Sequence, residues 1–180
     1  MEDFKSLIIS LEAQCTDEHQ KDIFENIVDK TCEYLADLFE VDQTEVAIII
    51  LTNNEKFLRF IAPKKLYKGG ATFPLSKRES LSTKVMLTKK SDIKNDVINI
   101  KHLSIYEQVK TSEEKPKPIQ KMLTVPLIHE DKAVGVIQIS RKGLSPNEAG
   151  QDFSEADVQK LLSLVPSFLP SLIKTKPHSI

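Results

Sequence analysis

The run Val46-Ala47-Ile48-Ile49-Ile50-Leu51 constrains the fold more than any other stretch of the chain. Its residues are all apolar and mostly β-branched, so a strand made from them has no polar face to turn toward water and must be covered on both sides. That is the position of a central strand. Asn53-Asn54-Glu55 supplies turn chemistry next, and Phe57 to Ala62 reads as the returning strand, ending before Pro63. Met122 to Ile128 and Ala133 to Ile139 predict a second hairpin around His129-Glu130-Asp131-Lys132, with Gly135 marking a close backbone approach or a bulge. Pro126 has no N–H to give a ladder, so its strand is irregular there or has an open edge. A short strand over Ala71 to Leu75 follows the Gly69-Gly70 pair.

Around these hairpins the apolar period changes to that of helices. Phe4, Leu7, Ile8 and Leu11 share one stripe of a short N-terminal helix. Thr16 and Asp17 are available to cap a second helix, with Gln20 placed to return a hydrogen bond, although one unbroken helix through Cys15 fits as well. The stripe of the second helix is Ile23, Phe24, Ile27, Val28, Leu35, Leu38 and Phe39, opposite Asp22, Glu25, Asp29, Lys30, Glu33 and Asp37. Ser76 with Glu79 has the spacing of a capping box before Leu81, Val85 and Met86, and Ser154 with Asp157 repeats it before Val158, Leu161, Leu162 and Val165. Pro166 and Pro170 interrupt that last helix. Between Lys89 and Pro118 the chain is polar, with clear periodicity only around Leu103, Ile105 and Tyr106; so long an excursion is where binding often happens.

With 180 residues, 40% of them hydrophobic and 28% charged, the chain suits a single compact domain with a sizeable core. Its 25 basic and 26 acidic side chains give no field for collecting phosphates, which argues against nucleic acid as a partner. No apolar run approaches the roughly 18 residues of a membrane-spanning helix. The acidic opening Met1-Glu2-Asp3 does not read as a secretory signal, and the expected location is the cytoplasm. Two cysteines, Cys15 and Cys32, are no disulfide scaffold.

The order of elements predicts an α+β fold, an antiparallel sheet with helices packed across it. Met122-Leu123-Thr124-Val125-Pro126-Leu127, Ala133-Val134-Gly135-Val136-Ile137-Gln138-Ile139 and Phe153-Ser154-Glu155-Ala156-Asp157 leading into Leu161-Leu162 resemble the GAF family of sensory domains. Ser80-Leu81 through Val85 looks like that family's middle helix, and Ile93-Lys94-Asn95-Asp96-Val97 like the short segment after it. The resemblance covers about Ile23 to Leu172, with Ser82 standing where the family's middle helix usually has glycine and Lys89-Lys90 in the turn that follows. It implies first and last helices on one side of the sheet and a ligand pocket on the other. It also divides the chain into an N-terminal helical extension (1–20), a GAF-like domain (21–174) and a C-terminal tail (175–180).

GAF domains bind varied ligands and many only dimerise, so the fold leaves function open. The branch that reduces methionine sulfoxide needs pocket thiols, whereas Cys15 and Cys32 both precede the first strand. The cyclic-nucleotide signature of the family is not matched residue by residue. Where the bilin branch places cysteine and histidine, this chain has Lys101-His102, so covalent chromophore attachment is not expected. Cys15 and His19 share a helical spacing without the further ligands that zinc wants, and Lys64, Lys65 and Lys68 read as a solvated basic turn rather than a phosphate-cradling loop. The expectation is a non-enzymatic regulatory module that binds a small molecule between the sheet and the 81–106 segment. Phe73, Asp96, His102 and Tyr106 are its pocket residues: aromatic faces to stack a ring, a carboxylate to accept hydrogen bonds. No cofactor is named by these residues. The alternative is an interaction module that pairs its terminal helices into a homodimer, because the stripes Ile23 to Phe39 and Val158 to Leu172 are wider than one sheet face requires. The GAF-like region uses nearly the whole sequence, so either reading passes its output to a separate signalling protein.

Overall fold

A computed structural model of the chain describes residues 2–76, 80–98 and 117–180. Val46–Leu51 is strand β1, and Phe57–Ala62 returns beside it as β2. Thr72–Pro74 (β3), Asp92–Lys94 (β4), Ile119–His129 (β5) and Lys132–Lys142 (β6) complete one sheet in the order β3-β2-β1-β6-β5-β4, with every pairing antiparallel. The two hairpins therefore meet at a β1–β6 seam. There Gly135 pairs with Ile50, and a Cβ on the glycine would lie 2.3 Å from the Ile49 carbonyl oxygen, so the close approach read from the sequence is real. Glu130 and Asp131 both adopt positive φ (46° and 62°) and form the tight turn of the second hairpin, the twist that matches right-handed strands. Pro126 pairs with Val136 on β6, beyond the end of β4, so among the described residues the edge on its other side carries no strand.

Helices α1 (Glu2–Glu12) and α2 (Gln20–Phe39) are separate, and the chain between them turns at Thr16, whose carbonyl accepts the His19 N–H. The expected Thr16 and Asp17 caps do not form. His19 holds the N-cap position of α2 and makes no side-chain cap bond. The region 64–68, expected as a basic turn, is a short helix, α3 (Lys64–Lys68), anchored by buried Tyr67. α4 (Leu81–Thr88) takes Ser80 as its N-cap rather than Ser76, and the Glu79 half of that expected box lies outside the described residues. The second expected box is present: α5 (Glu155–Leu164) starts with Ser154 and Asp157 capping each other's backbone. Pro166 falls in a 3-10 turn, Val165–Ser167, and Pro170 in the first turn of α6 (Leu169–Lys174), where a missing N–H costs no helical bond.

Two cores flank the sheet. On one face Val46, Ile48, Ile50, Ile61, Leu123, Val125, Leu127, Ile137 and Ile139 are packed against α1, α2, α5 and α6. The stripe of α2 is consumed here: Phe24, Ile27 and Leu35 are fully buried, Phe4 of α1 stacks on Tyr34 at 4.3 Å, and Phe168, Leu169 and Leu172 close the other side. Helix α1 and the C-terminal segment account for the breadth from which a dimer contact was expected. The tail also joins this core, through Ile180. The other face carries a smaller core of Ala47, Ile49, Leu58, Phe60, Met122 and Val136 beneath Leu81, Val85 and Met86 of α4.

Candidate functional site

The face under α4 is the side of the sheet on which the sequence expectation put a pocket, and its chemistry differs from the rest of the interior. Thr124 on β5 and Gln138 on β6 are cross-strand partners. Strand alternation puts them on the same face as Met122 and Val136, and both are buried. Gln138 Nε2 donates to Thr124 Oγ1 and to Met122 Sδ, each at 3.2 Å. Helix α4 packs on the same face, and its buried residues include two hydroxyls, Ser82 and Thr83, beside Leu81, Val85 and Met86. Thr83 is completely buried, and its Oγ1 has no hydrogen-bond partner among the described residues. Nearby in sequence to Met122, Gln120 is pinned by a bond from Nε2 to the Gly143 carbonyl (2.8 Å), while its buried Oε1 is without a partner among the described residues.

Ion pairs fix the rim. Asp92 on β4 receives Lys84 of α4 and Lys94 of its own strand, each at 3.0 Å. Burial pushes the Asp92 carboxyl up, but the hydrogen bonds from Lys94 and Lys84 outweigh it and hold the group below its ordinary range. Lys89, in the left-handed conformation that ends α4, donates from Nζ to the Asp131 carbonyl at the tip of the β5–β6 hairpin (2.6 Å). Asn95 holds the backbone of Phe153 from both sides, donating to its carbonyl (3.1 Å) and accepting its N–H (2.9 Å).

Of the expected pocket residues, Phe73 sits on the edge strand β3 and packs against this core, its ring 6.0 Å from that of Phe60. Asp96 is exposed, between Asn95 and buried Val97, and makes no hydrogen bond among the described residues. His102 and Tyr106 lie outside the described residues. Sequence reading passed over Thr83, Thr124 and Gln138. The signal was a single polar residue inside each of two apolar strand runs and one buried hydroxyl on a short helix.

The only two thiols of the chain are on the other side of the sheet. Cys32 is buried within the helical core, where burial first and then the charges of Asp29 and Glu33 raise its pKa, and Cys15 lies between α1 and α2. Among the described residues no group of three His, Cys, Asp or Glu side chains converges as metal ligands would, and no helix is long and apolar enough to cross a membrane.

Strand order, helix placement and the covered second face together match solved structures of one kind. The fold is that of the GAF domains. The GAF domain of an Acinetobacter phosphoenolpyruvate-protein phosphotransferase superimposes with a TM-score of 0.60 at 18% identity, over 95% of this chain and 91% of that one. A phycoerythrobilin-bound GAF domain from a cyanobacterial phytochrome also gives 0.60, at 13% identity, over 97% and 95% of the two chains. The type II free methionine-R-sulfoxide reductase of Thermoplasma acidophilum gives 0.55 at 17% identity, over 85% and 94%. No protein-family model matches the sequence, and no curated protein matches it. At these identities the likeness is one of GAF fold, and it reaches across a phosphotransferase domain, a chromophore-bound domain and an enzyme.

Proposed function

We propose that this chain is a non-enzymatic, cytoplasmic regulatory domain that binds a small molecule between the sheet and the 81–106 segment, and passes the signal to a separate protein. The observation that carries this reading is the Thr83 hydroxyl: fully buried, without a partner among the described residues, and carried by the helix that packs on the sheet face where Thr124 and Gln138 are buried. A buried hydroxyl left unpaired costs about 1–3 kcal/mol, a cost that a ligand's polar atom removes. Phe73, Asp96, His102 and Tyr106 are the further contacts proposed. The neutral character of Thr83, Thr124 and Gln138 suits recognition by hydrogen bonding, and the placement of both thiols behind the sheet supports a role without sulfur chemistry.

The test is a thermal-shift panel of cyclic nucleotides, nucleobases, amino acids and linear tetrapyrroles, followed by methyl NMR of any compound that stabilises the protein. Met86 and Met122, both on this face, are the reporters, and a true ligand moves their methyl signals. A panel without any shift at saturation removes the sensor reading. The second reading, a homodimerising module, is supported by Leu7 and Ile9, which stay exposed on α1 (42% and 51%). Sedimentation showing monomer alone at low micromolar concentration removes it.

A further inference from the structure

A concavity lies away from the α4 face, where the β1–β2 turn, the start of β6 and the C-terminal segment meet. It encloses about 560 Å³, within the range of roughly 300–1,000 Å³ usual for small-molecule sites. Ile50, Leu51, Val134 and Ile173 give it an apolar stretch beside polar Gln20, Thr52 and Asn53. Its tail-side wall is pinned: Gln20 Nε2 donates to the Lys176 carbonyl (3.2 Å), Asn53 Nδ2 to the His178 carbonyl (2.9 Å), and the Asn53 backbone N–H to the Ile180 carbonyl (3.0 Å).

Two lysines line the groove, and they are treated differently. Lys174 is neutralised by Glu12 at 2.5 Å. Lys176 is half-buried and donates from Nζ to the Leu51 carbonyl (2.8 Å), with no carboxylate in ion-pair range among the described residues. An ammonium carries three donors, and a cation withdrawn from water without a counter-charge is a standing electrostatic cost. Burial accordingly lowers the Lys176 pKa. Glu55, the acidic residue in the lining, is exposed.

We propose that this groove binds an organic carboxylate with an apolar body, its tail against Ile50, Leu51, Val134 and Ile173 and its carboxylate on the Lys176 ammonium. The site is independent of the α4 face. An anion there supplies the missing counter-charge, and the pinned wall means that little has to be ordered on binding.

The probe is octanoate, titrated into protein with labelled isoleucine and methionine methyl groups. The expected result is movement of the Ile50 and Ile173 signals with Met86 and Met122 unmoved, and no response to the neutral isostere octanamide. Lys176→Met weakens octanoate binding at least about tenfold, and Lys176→Arg retains most of it. The absence of shifts at millimolar octanoate overturns the proposal, as does equal binding of octanamide, or movement confined to Met86 and Met122. Should Lys176→Met not fold, the octanoate–octanamide comparison on the unaltered protein decides by itself. A panel compound that moves Met86 and Met122 bears on the α4 face alone.

Discussion

The two faces of the sheet bury threonine hydroxyls on helices in opposite ways. On the helical side Thr31 donates to the Ile27 carbonyl and Thr175 to the Ser171 carbonyl, both at 2.8 Å, and Ser171 reaches the Glu12 carboxylate at 2.5 Å. On α4, Thr83 is as deeply buried and has no partner among the described residues. The same chemical group is thus closed off within the chain on one side and left open on the other. The strand residues differ in kind: the helical face carries charged side chains, Arg59 and buried Lys121, at the margins of an aliphatic core, whereas the α4 face buries neutral Thr124 and Gln138. The contrast is one of hydroxyls: those on the helical side bond within the chain, and that of Thr83 finds no partner among the described residues.

The contrast is broken or sharpened first by truncating the helical core. Phe24→Ala removes a fully buried ring and is expected to cost about 3–5 kcal/mol in urea denaturation. A loss below that of Gln138→Leu would put the stabilising core on the wrong face. Next comes the seam shared by both sides. Gly135→Ala drives a methyl into the Ile49 carbonyl and should destabilise by about 1–3 kcal/mol, with matching loss on both faces by hydrogen exchange.

Thr83→Val is the most diagnostic change, because it replaces an unpaired hydroxyl by a methyl of the same shape. It is expected to raise the melting temperature of the ligand-free protein, by about 1 kcal/mol of stability, and to diminish the shift caused by any α4-face ligand. The equivalent Thr31→Val, which breaks a formed hydrogen bond, should not stabilise. A fall in melting temperature for Thr83→Val would mean that its hydroxyl is already satisfied.

The smallest effect is in acid. The hydrogen bond from Lys174, then that from Ser171, holds the Glu12 carboxyl below its ordinary value. A lowered folded-state pKa contributes stability that is complete above the unfolded pKa and lost as pH falls through the folded one. Glu12→Gln should therefore be less stable than the parent at neutral pH, and the two should converge in acid, as urea midpoints across the carboxylate range will show.

Much of this architecture was legible because its signals are local. The β-branched run Val46–Leu51 specified a covered central strand, Gly135 a close approach, and Ser154 with Asp157 a capping box. What escaped was set by tertiary contacts. The second hairpin extends past its apolar runs into Ile119-Gln120-Lys121 and Ser140-Arg141-Lys142, where the ladder continues although the side chains turn polar. Helix α3 is too short to show a period, and it is held by Tyr67 alone among its buried residues. At the candidate site the aromatic and acidic residues drew attention, yet the polar groups buried there are Thr124 and Gln138 on the sheet and Thr83 on α4. Each is unremarkable in sequence, and only the register of β5 on β6 makes Thr124 and Gln138 partners.

The β1–β6 seam also bears on how this molecule forms. Strands far apart along the chain make its middle, so neither ribbon finds a neighbour on its inner edge until a large loop has closed. Closure entropy must be met before those pairings reward it, which predicts a slow, late-committing folding route in which joining β1 to β6 is the decisive event.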